Sequence, residues 1–384
     1  MVAQLIKLTR RHNLDLVLVG LTAMIGGLGL MTVYSASAAD FKKQAIYFGF
    51  GLVAFVVATL FDYRHLRKAA AAAYILMLLL LLAVHVVGHS ALGARRWLTI
   101  AAFPVEPSEF SKLMILVTLA AFFARLDGHE KKISTFVGAL ALAAPPMVLI
   151  LLQPDLGTAM VFGALLVGLL LLAGTSRLHL AAFFSLCLAV LPIVPHILHG
   201  YQKKRLEIFL DPTRDPLGAG YNLIQARIAV GSGGFLGHGW LHGPQGSLGF
   251  VPERATDFIF AVFAEQFGLV GCVFLLILFG LLVLRLCAAA AAAPDRFGSL
   301  LIGGVAVMFL FQVAENVGMN VGLTPIAGIP LPMISYGGSS LVTNLAALGL
   351  VQSVLLRRRL FVYRQQGTLE NYLLNESGTV RLTA

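Results

Sequence analysis

Ten long apolar runs dominate the sequence, at roughly 14–34, 44–61, 70–88, 110–124, 134–152, 156–174, 178–199, 258–286, 299–322 and 339–356. Most approach the ~20 residues that an α-helix needs to cross a bilayer. In hydrocarbon every backbone N–H and C=O must be satisfied within the protein, and the alternating pattern of a membrane barrel is absent from the sequence. The fold class is therefore an all-α polytopic membrane protein of about ten transmembrane helices. The composition agrees, with 58% of the 384 residues hydrophobic and 12% charged. Little length is left for a soluble unit, so one transmembrane domain is expected over 1–360, followed by a polar tail at 361–384. The large loop at 200–256 joins helices 7 and 8 and contains an interfacial helix around Tyr221–Val230, where apolar and polar residues alternate at helical spacing. The Tyr34–Ala38 segment resembles a signal-peptidase site. The run before it is too long for a signal peptide's apolar core, and it is read as a retained first helix.

Charge sets the orientation. Lys7, Arg10, Arg11, Arg64, Arg67, Lys68, Arg125, Lys131, Lys132, Arg177, Arg285, Arg296 and the Arg357–Arg359 run all fall on one side if connections alternate. Basic residues mark the cytoplasmic side, which puts both termini inside and the 200–256 loop outside. The net charge of +10 is spread along loops, which favours the membrane surface over nucleic acid. Cys187, Cys272 and Cys287 lie in or at the ends of apolar runs, as packing residues do.

Unusual residues gather where the even-numbered helices begin, all on the outer side. Arg95-Arg96-Trp97 and Pro107–Lys112, with Glu109, precede or open helix 4. Gln153-Pro154-Asp155 precedes helix 6, and Pro252–Asp257, with Glu253 and Arg254, precedes helix 8. Pro330–Ser340, with Ser335, Gly337, Gly338 and Ser339, precedes helix 10. Helix starts present unpaired N–H groups and partial positive charge, and several together suit a phosphate. Each piece also has a plainer reading. Ser108 serves as a cap, Glu109 and Lys112 as an i, i+3 ion pair, Pro154-Asp155 as a helix start, Thr256-Asp257 as a cap pair, and Gly337-Gly338 as a turn. Four such clusters on one face, with both signs of charge, favour a site. Asp257, a carboxylate at the mouth of an apolar helix, is its expected centre.

Other polar residues read as structural. Gln312, Asn316 and Asn320 recur every fourth residue on helix 9 beside Glu315, which suits interhelical hydrogen bonding. Glu265 lies two turns deeper than Asp257 on a similar face, either as a polar contact of the bundle or as a group supporting the site from behind. His196, His199, His238 and His242 lack metal-ligand spacing. The glycines at 231–239 suggest a flexible path toward Asp257 that would admit a bulky substrate.

The segments DPLGAGYNLIQARIAVGSGGFLGHGW, LGFVPERATDFIFAVFAEQFGLVG and GIPLPMISYGGSS resemble those of the SEDS family of shape, elongation, division and sporulation proteins. The R-R-W, P-S-E-F-S-K and Q-P-D-L-G-T-A segments fit as well, and the similarity runs from about 14 to 357. The L-G-F-V-P-E-R wording is most similar to the elongation branch. The resemblance implies a peptidoglycan glycosyltransferase that polymerises lipid II, an undecaprenyl-pyrophosphate disaccharide-peptide, into β-1,4 glycan on the outer face of the bacterial cytoplasmic membrane. It implies a class B penicillin-binding protein as partner, within the elongation machinery that maintains rod shape. The family's essential aspartate corresponds to Asp257, its arginine–tryptophan pair to Arg96 and Trp97, and its P-S-E-x-x-K pattern to Glu109 and Lys112. Ala255 departs from a frequent histidine, and Glu315 from a small or apolar residue.

On that reading Asp257 is a general base, while Arg96, Lys112 and the Ser335–Ser340 turn hold pyrophosphate. Arg254 and the helix start would lower the pKa of Asp257, and burial would raise it. If lowering wins, Asp257 instead binds a divalent cation, Mg or Mn, that bridges the pyrophosphate. The rival classes are a lipid II flippase, which needs polar residues through the membrane, and a scaffold, which gives no reason for the outward charges. A division or sporulation duty is the alternative within the family.

Overall fold

The computed structural model describes residues 14–91, 94–100, 103–126, 128–190, 200–215, 218–247 and 249–376. Helices α1 (Leu16–Ala36), α2 (Ala38–Leu60) and α3 (Tyr63–Val87) come first. A small antiparallel ribbon follows, of β1 (His89–Ala91), β2 (Ala94–Ile100) and β3 (Phe103–Val105). Next are α4 (Pro107–Phe123), α5 (Ile133–Leu152), α6 (Leu156–Ala173) and α7 (Arg177–Val190). The long loop carries α8 (Tyr201–Leu210), α9 (Ala219–Ser232) and the single turn α10 (Pro244–Ser247). Helices α11 (Ile259–Ala291), α12 (Arg296–Val321) and α13 (Gly338–Glu376) end the described chain.

Among the described residues eight helices are long and apolar enough to cross a membrane: α1, α2, α3, α5, α6, α11, α12 and the 338–358 part of α13. The chain is an integral membrane protein. α4 has 17 residues and opens on charged side chains, and α7 has 14. The rest of the expected seventh run, with His196 and His199, lies outside the described residues, as do Lys7, Arg10 and Arg11. The backbone of α13 stays helical through Glu376, well into the segment read as a polar tail.

The helix ends follow from short acidic or hydroxyl side chains that accept from exposed N–H groups. Asp15 caps α1 through Leu18 N, Asp62 caps α3 through Arg64 N, and Asp295 caps α12 through Gly298 N. Ser37 ends α1 and caps α2 in a single residue, which folds the two helices back on each other. Gly174 and Gly322 end α6 and α12 at φ of 83° and 79°, the left-handed turn that glycine adopts without a steric penalty.

Burial sorts the helices into a centre and a rim. α13 and α12 are 83% and 72% buried over their apolar spans, whereas α2 and α3 are only 22% buried. The two outer helices thus turn most of their surface to lipid. Small residues bring α2 and α13 into close contact: a Cβ on Gly349 would strike the Phe55 carbonyl, and one on Gly51 would strike Leu345.

The segment expected to form an interfacial helix is helical, as α9, and it packs on the end of the bundle. Leu223, Ala226 and Ala229 of α9 and Ile208 of α8 form a second apolar cluster with Phe258, Ala261 and Met319. The glycines at 231–239 differ from the flexible path expected of them. His238 N donates to Glu265 O at 3.0 Å and Gly239 N to Gln266 O at 3.0 Å, beside the break in α11 at Gly268. Cβ atoms on Gly233 and Gly237 would collide with the Ala264 and Gln266 carbonyls. Their small size serves close packing. Glu265 belongs to the same joint, accepting from Gln245 N and Gly246 N at 2.7 and 2.9 Å.

Candidate active site

Four helix starts meet at one end of the bundle, around a cavity of about 360 Å³. The turn before α11 supplies Asp257, and the start of α13 supplies Gly337 to Ser340. The start of α4 supplies Glu106 and Glu109, and β2 supplies Arg96 and Trp97. Glu253 lines the rim, while α8 and α9 add Arg205 and Asn222. A side chamber of about 30 Å³, room for a water, is bounded by Glu106, Glu109, Lys112, Asp155 and Thr158. The N-terminus of α6 reaches the site there.

Asp257 is held by its main chain. α11 begins without a side-chain cap, so the Asp257 carboxylate is not consumed in capping. Its carbonyl accepts from Asn316 Nδ2 at 3.0 Å and Asn320 Nδ2 at 3.1 Å. Asn316 also donates to Ile329 O at 2.8 Å, and Asn320 Oδ1 accepts from Ala261 N at 3.1 Å. Asn316 and Asn320 of the polar stripe on α12 clamp this turn, whereas Gln312 is buried without a hydrogen-bond partner among the described residues. Glu315, next to the stripe, is buried and accepts from Thr324 Oγ1 at 3.2 Å.

The loop before α13 is tied on both flanks. Ser335 Oγ donates to Thr256 O at 2.7 Å and accepts from Leu331 N at 2.8 Å, and Tyr336 N donates to Ala255 O at 2.7 Å. Ser335 therefore joins two segments of the wall and does not line the cavity. From α2, Gln44 Nε2 donates to Ser335 O at 3.0 Å and Gln44 Oε1 accepts from Gly337 N at 3.2 Å. Gly338 lies so close to Tyr47 that a Cβ would come within 2.9 Å of the ring. Ser339 Oγ accepts from Glu106 N at 2.9 Å, linking α13 to α4.

Arg96 closes another side. Its Nε donates to Gln153 O at 3.3 Å, an Nη donates to Pro154 O, and Nη1 lies 3.6 Å from Asp155 Oδ1. Asp155 also caps α6 through Thr158 N at 3.1 Å. Lys112 and Glu109 form a buried ion pair of 2.6 Å. Glu109 Oε2 and Asp155 Oδ2 are buried without a hydrogen-bond partner among the described residues, and both side chains bound the small chamber.

Of the residues singled out from sequence, Asp257, Arg96, Trp97, Glu109, Glu253, Gly337, Gly338 and Ser339 line the main cavity. Lys112 and Asp155 line its side chamber. Arg254 points elsewhere, its Nε donating to Ala36 O at 2.7 Å. The cation near Asp257 is Arg205, whose Nη1 donates to Ile326 O at 2.8 Å. A Cβ placed on Gly328 would lie 3.6 Å from Asp257 Oδ2 and 3.8 Å from the Arg205 guanidinium nitrogens, so that glycine separates the two only narrowly. Sequence reasoning missed Arg205, Glu106 and Gln44. A carboxylate placed directly before the proline that opens α4 was the available signal for Glu106.

Burial dominates the electrostatics. It pushes the Asp257 carboxyl up to about 6, with Glu253 and Asp155 adding to the rise and Arg205 and Arg96 opposing it. The expected lowering by Arg254 and the helix start does not prevail. Glu106 is pushed up to about 8 by burial and by the Asp155 and Glu109 carboxylates, against Arg96 and Lys112. Among the described residues no group of three or more His, Cys, Asp or Glu is placed to hold a metal ion. A Mg or Mn ion at Asp257 would have to complete its coordination with substrate phosphates and water.

The chain as a whole is similar to known proteins in sequence and fold. A family model described as cell cycle protein, covering FtsW, RodA and SpoVE, matches residues 12–360. The chain is 40% identical over 334 residues to the peptidoglycan glycosyltransferase MrdB of Escherichia coli K12, covering 86% of this chain and 90% of that one. It is similar, at 37% identity and a TM-score of 0.79, to a chain solved in work on how a peptidoglycan synthase complex coordinates polymerization and crosslinking; 90% of this chain and 98% of that chain are covered. Against the rod shape determining protein RodA of Thermus thermophilus the identity is 33% and the TM-score 0.67, over 90% of this chain and 97% of that one. The chain belongs to the FtsW, RodA and SpoVE family of cell cycle proteins.

Proposed function

We propose that the cavity around Asp257 is the reaction centre of a peptidoglycan glycosyltransferase that polymerises lipid II. The acceptor sugar hydroxyl attacks the anomeric carbon of the donor while the bond from that carbon to pyrophosphate breaks. Asp257 takes the hydroxyl proton, and undecaprenyl pyrophosphate leaves with the electron pair. One displacement inverts the α-linked donor to a β-1,4 linkage. The observation that carries this reading is Asp257 itself, a carboxylate raised to about 6 in a cavity also lined by Arg96, Arg205 and the start of α13. A base of that strength is ionised at neutral pH and still accepts a proton readily.

The leaving group gains charge as the bond breaks. Arg96, Arg205 and the main-chain N–H groups that open α13 suit that charge. Lys112 and Glu109 support the wall from the side chamber. Glu106, protonated near pH 7, donates a hydrogen bond to a phosphate oxygen where a carboxylate would repel it.

The cavity lies at the end of the bundle away from Arg64, Arg67, Lys68, Arg125 and Arg357, which supports an outward-facing site on the cytoplasmic membrane. The likeness to a chain from a peptidoglycan synthase complex supports a class B penicillin-binding protein as partner. The likeness to a rod shape determining protein supports an elongation duty.

Purified protein supplied with lipid II tests the assignment. The wild type yields glycan polymer, and Asp257→Ala lowers the rate by about 10²-fold or more, the usual worth of a positioned base. Polymer at the normal rate from Asp257→Ala overturns the role. Complete loss on chelation, restored by Mg or Mn, counts against the plain base.

A further inference from the structure

A second cavity, of about 400 Å³, opens at the opposite end of the bundle. It is lined by Arg64, Arg67 and Lys68 on the first turns of α3, Arg125 just past α4, and Asp295 and Phe297 at the start of α12. α3 rises about 37 Å at 1.5 Å per residue before it leads into the ribbon that carries Arg96, so the two cavities are separated by the apolar thickness of a membrane.

Among the described residues that line this cavity, cations outnumber carboxylates. The carboxylate among its described lining residues, Asp295, is already used on both oxygens, by Tyr63 Oη and by Gly298 N. Three other arginines at this end meet an acid: Arg285 with Asp15, Arg296 with Glu130 and Arg357 with Asp62. Arg67 and Arg125 are instead locked to each other's segments, Arg67 Nη2 donating to Ala124 O and Arg125 Nη2 to Arg67 O, both at 3.3 Å. Arg67 and Arg125 are thus held to main-chain carbonyls at the cavity, with Lys68 one residue away, and an anion there would be attracted by all three.

The surroundings say which anion. Above these cations α3 continues as a lipid-facing helix, with Ile75 and Leu79 each 58% exposed and Val86 76% exposed. An occupant whose phosphate enters the cavity finds an apolar surface for hydrocarbon directly alongside. We propose that this cavity binds the phosphate headgroup of an anionic glycerophospholipid, in the leaflet opposite the reaction cavity, with its acyl chains along α3. A general preference of basic loops for that side of a membrane would need neither a concave site nor crossed main-chain ties.

The test uses the full chain purified in detergent, titrated with phosphatidylglycerol and, separately, with phosphatidylcholine and inorganic phosphate. Thermal stability and the phospholipid retained in native mass spectrometry are the readouts, both independent of glycan synthesis. Phosphatidylglycerol is expected to raise the melting temperature and remain bound, while phosphatidylcholine and phosphate do neither. Arg67→Gln with Arg125→Gln is expected to weaken phosphatidylglycerol binding by about tenfold or more. Lys131→Gln with Lys132→Gln, exposed at the same end, is expected to leave it unchanged. Equal binding by the cavity variant, equal loss in the Lys131 and Lys132 variant, or a full response to phosphate alone would each overturn the proposal.

Discussion

Asp257 and Glu106 face one cavity with carboxyl groups raised to different heights, about 6 and about 8. Such a pair divides the roles of base and proton-bearing donor between them. With Asp257 as the base, kcat/KM rises as pH climbs through about 6, because the carboxylate must be ionised to accept a proton. With Glu106 as a donor, the rate falls as pH passes about 8, because its ionised form repels phosphate. Glu106→Gln stays neutral, so it is expected to keep the neutral-pH rate and the acid limb while the alkaline fall disappears. An unchanged alkaline limb in that variant would remove Glu106 from the mechanism. Asp257 was legible in the sequence because a carboxylate at the mouth of an apolar helix is expensive and needs a reason. Its cation was not. Arg254 is close in sequence yet turns to the Ala36 carbonyl, while Arg205 arrives from α8 through a fold in the long loop.

At the scale of elements, the helices that cross the membrane were legible from composition alone, since lipid permits little else. The ribbon that carries Arg96 was not, because three residues of β1 and three of β3 are too short to leave an alternating pattern. The glycine segment was misjudged because sequence shows where glycine is and not what presses on it. The most informative element is the asparagine ladder of α12. Asn316→Ala removes one of the two donors to Asp257 O and the donor to Ile329 O, at a cost of about 1–3 kcal/mol for the carbonyl left unmatched. It is expected to lower the melting temperature and also kcat, because the turn bearing the base loses its anchor. A variant with lowered stability and an unaltered kcat would show that the ladder holds the bundle and not the reaction geometry.

At the scale of the whole molecule, a buried pair of helices, α12 and α13, is wrapped by helices that face lipid, and the cavities lie at opposite ends. The wrapping helices are not passive. α2 exposes Ile46, Phe50, Val53 and Val57, yet its buried Gln44 secures Ser335 O and Gly337 N with the two ends of a single amide. Bilayer thickness therefore has a mechanical route to the start of α13, where pyrophosphate binding is proposed. A change in host-membrane thickness changes the tilt of a lipid-facing helix, and the tilt of α2 acts on the turn just before α13. Turnover in proteoliposomes is expected to vary with acyl-chain length, and Gln44→Ala to flatten that dependence while lowering the maximum.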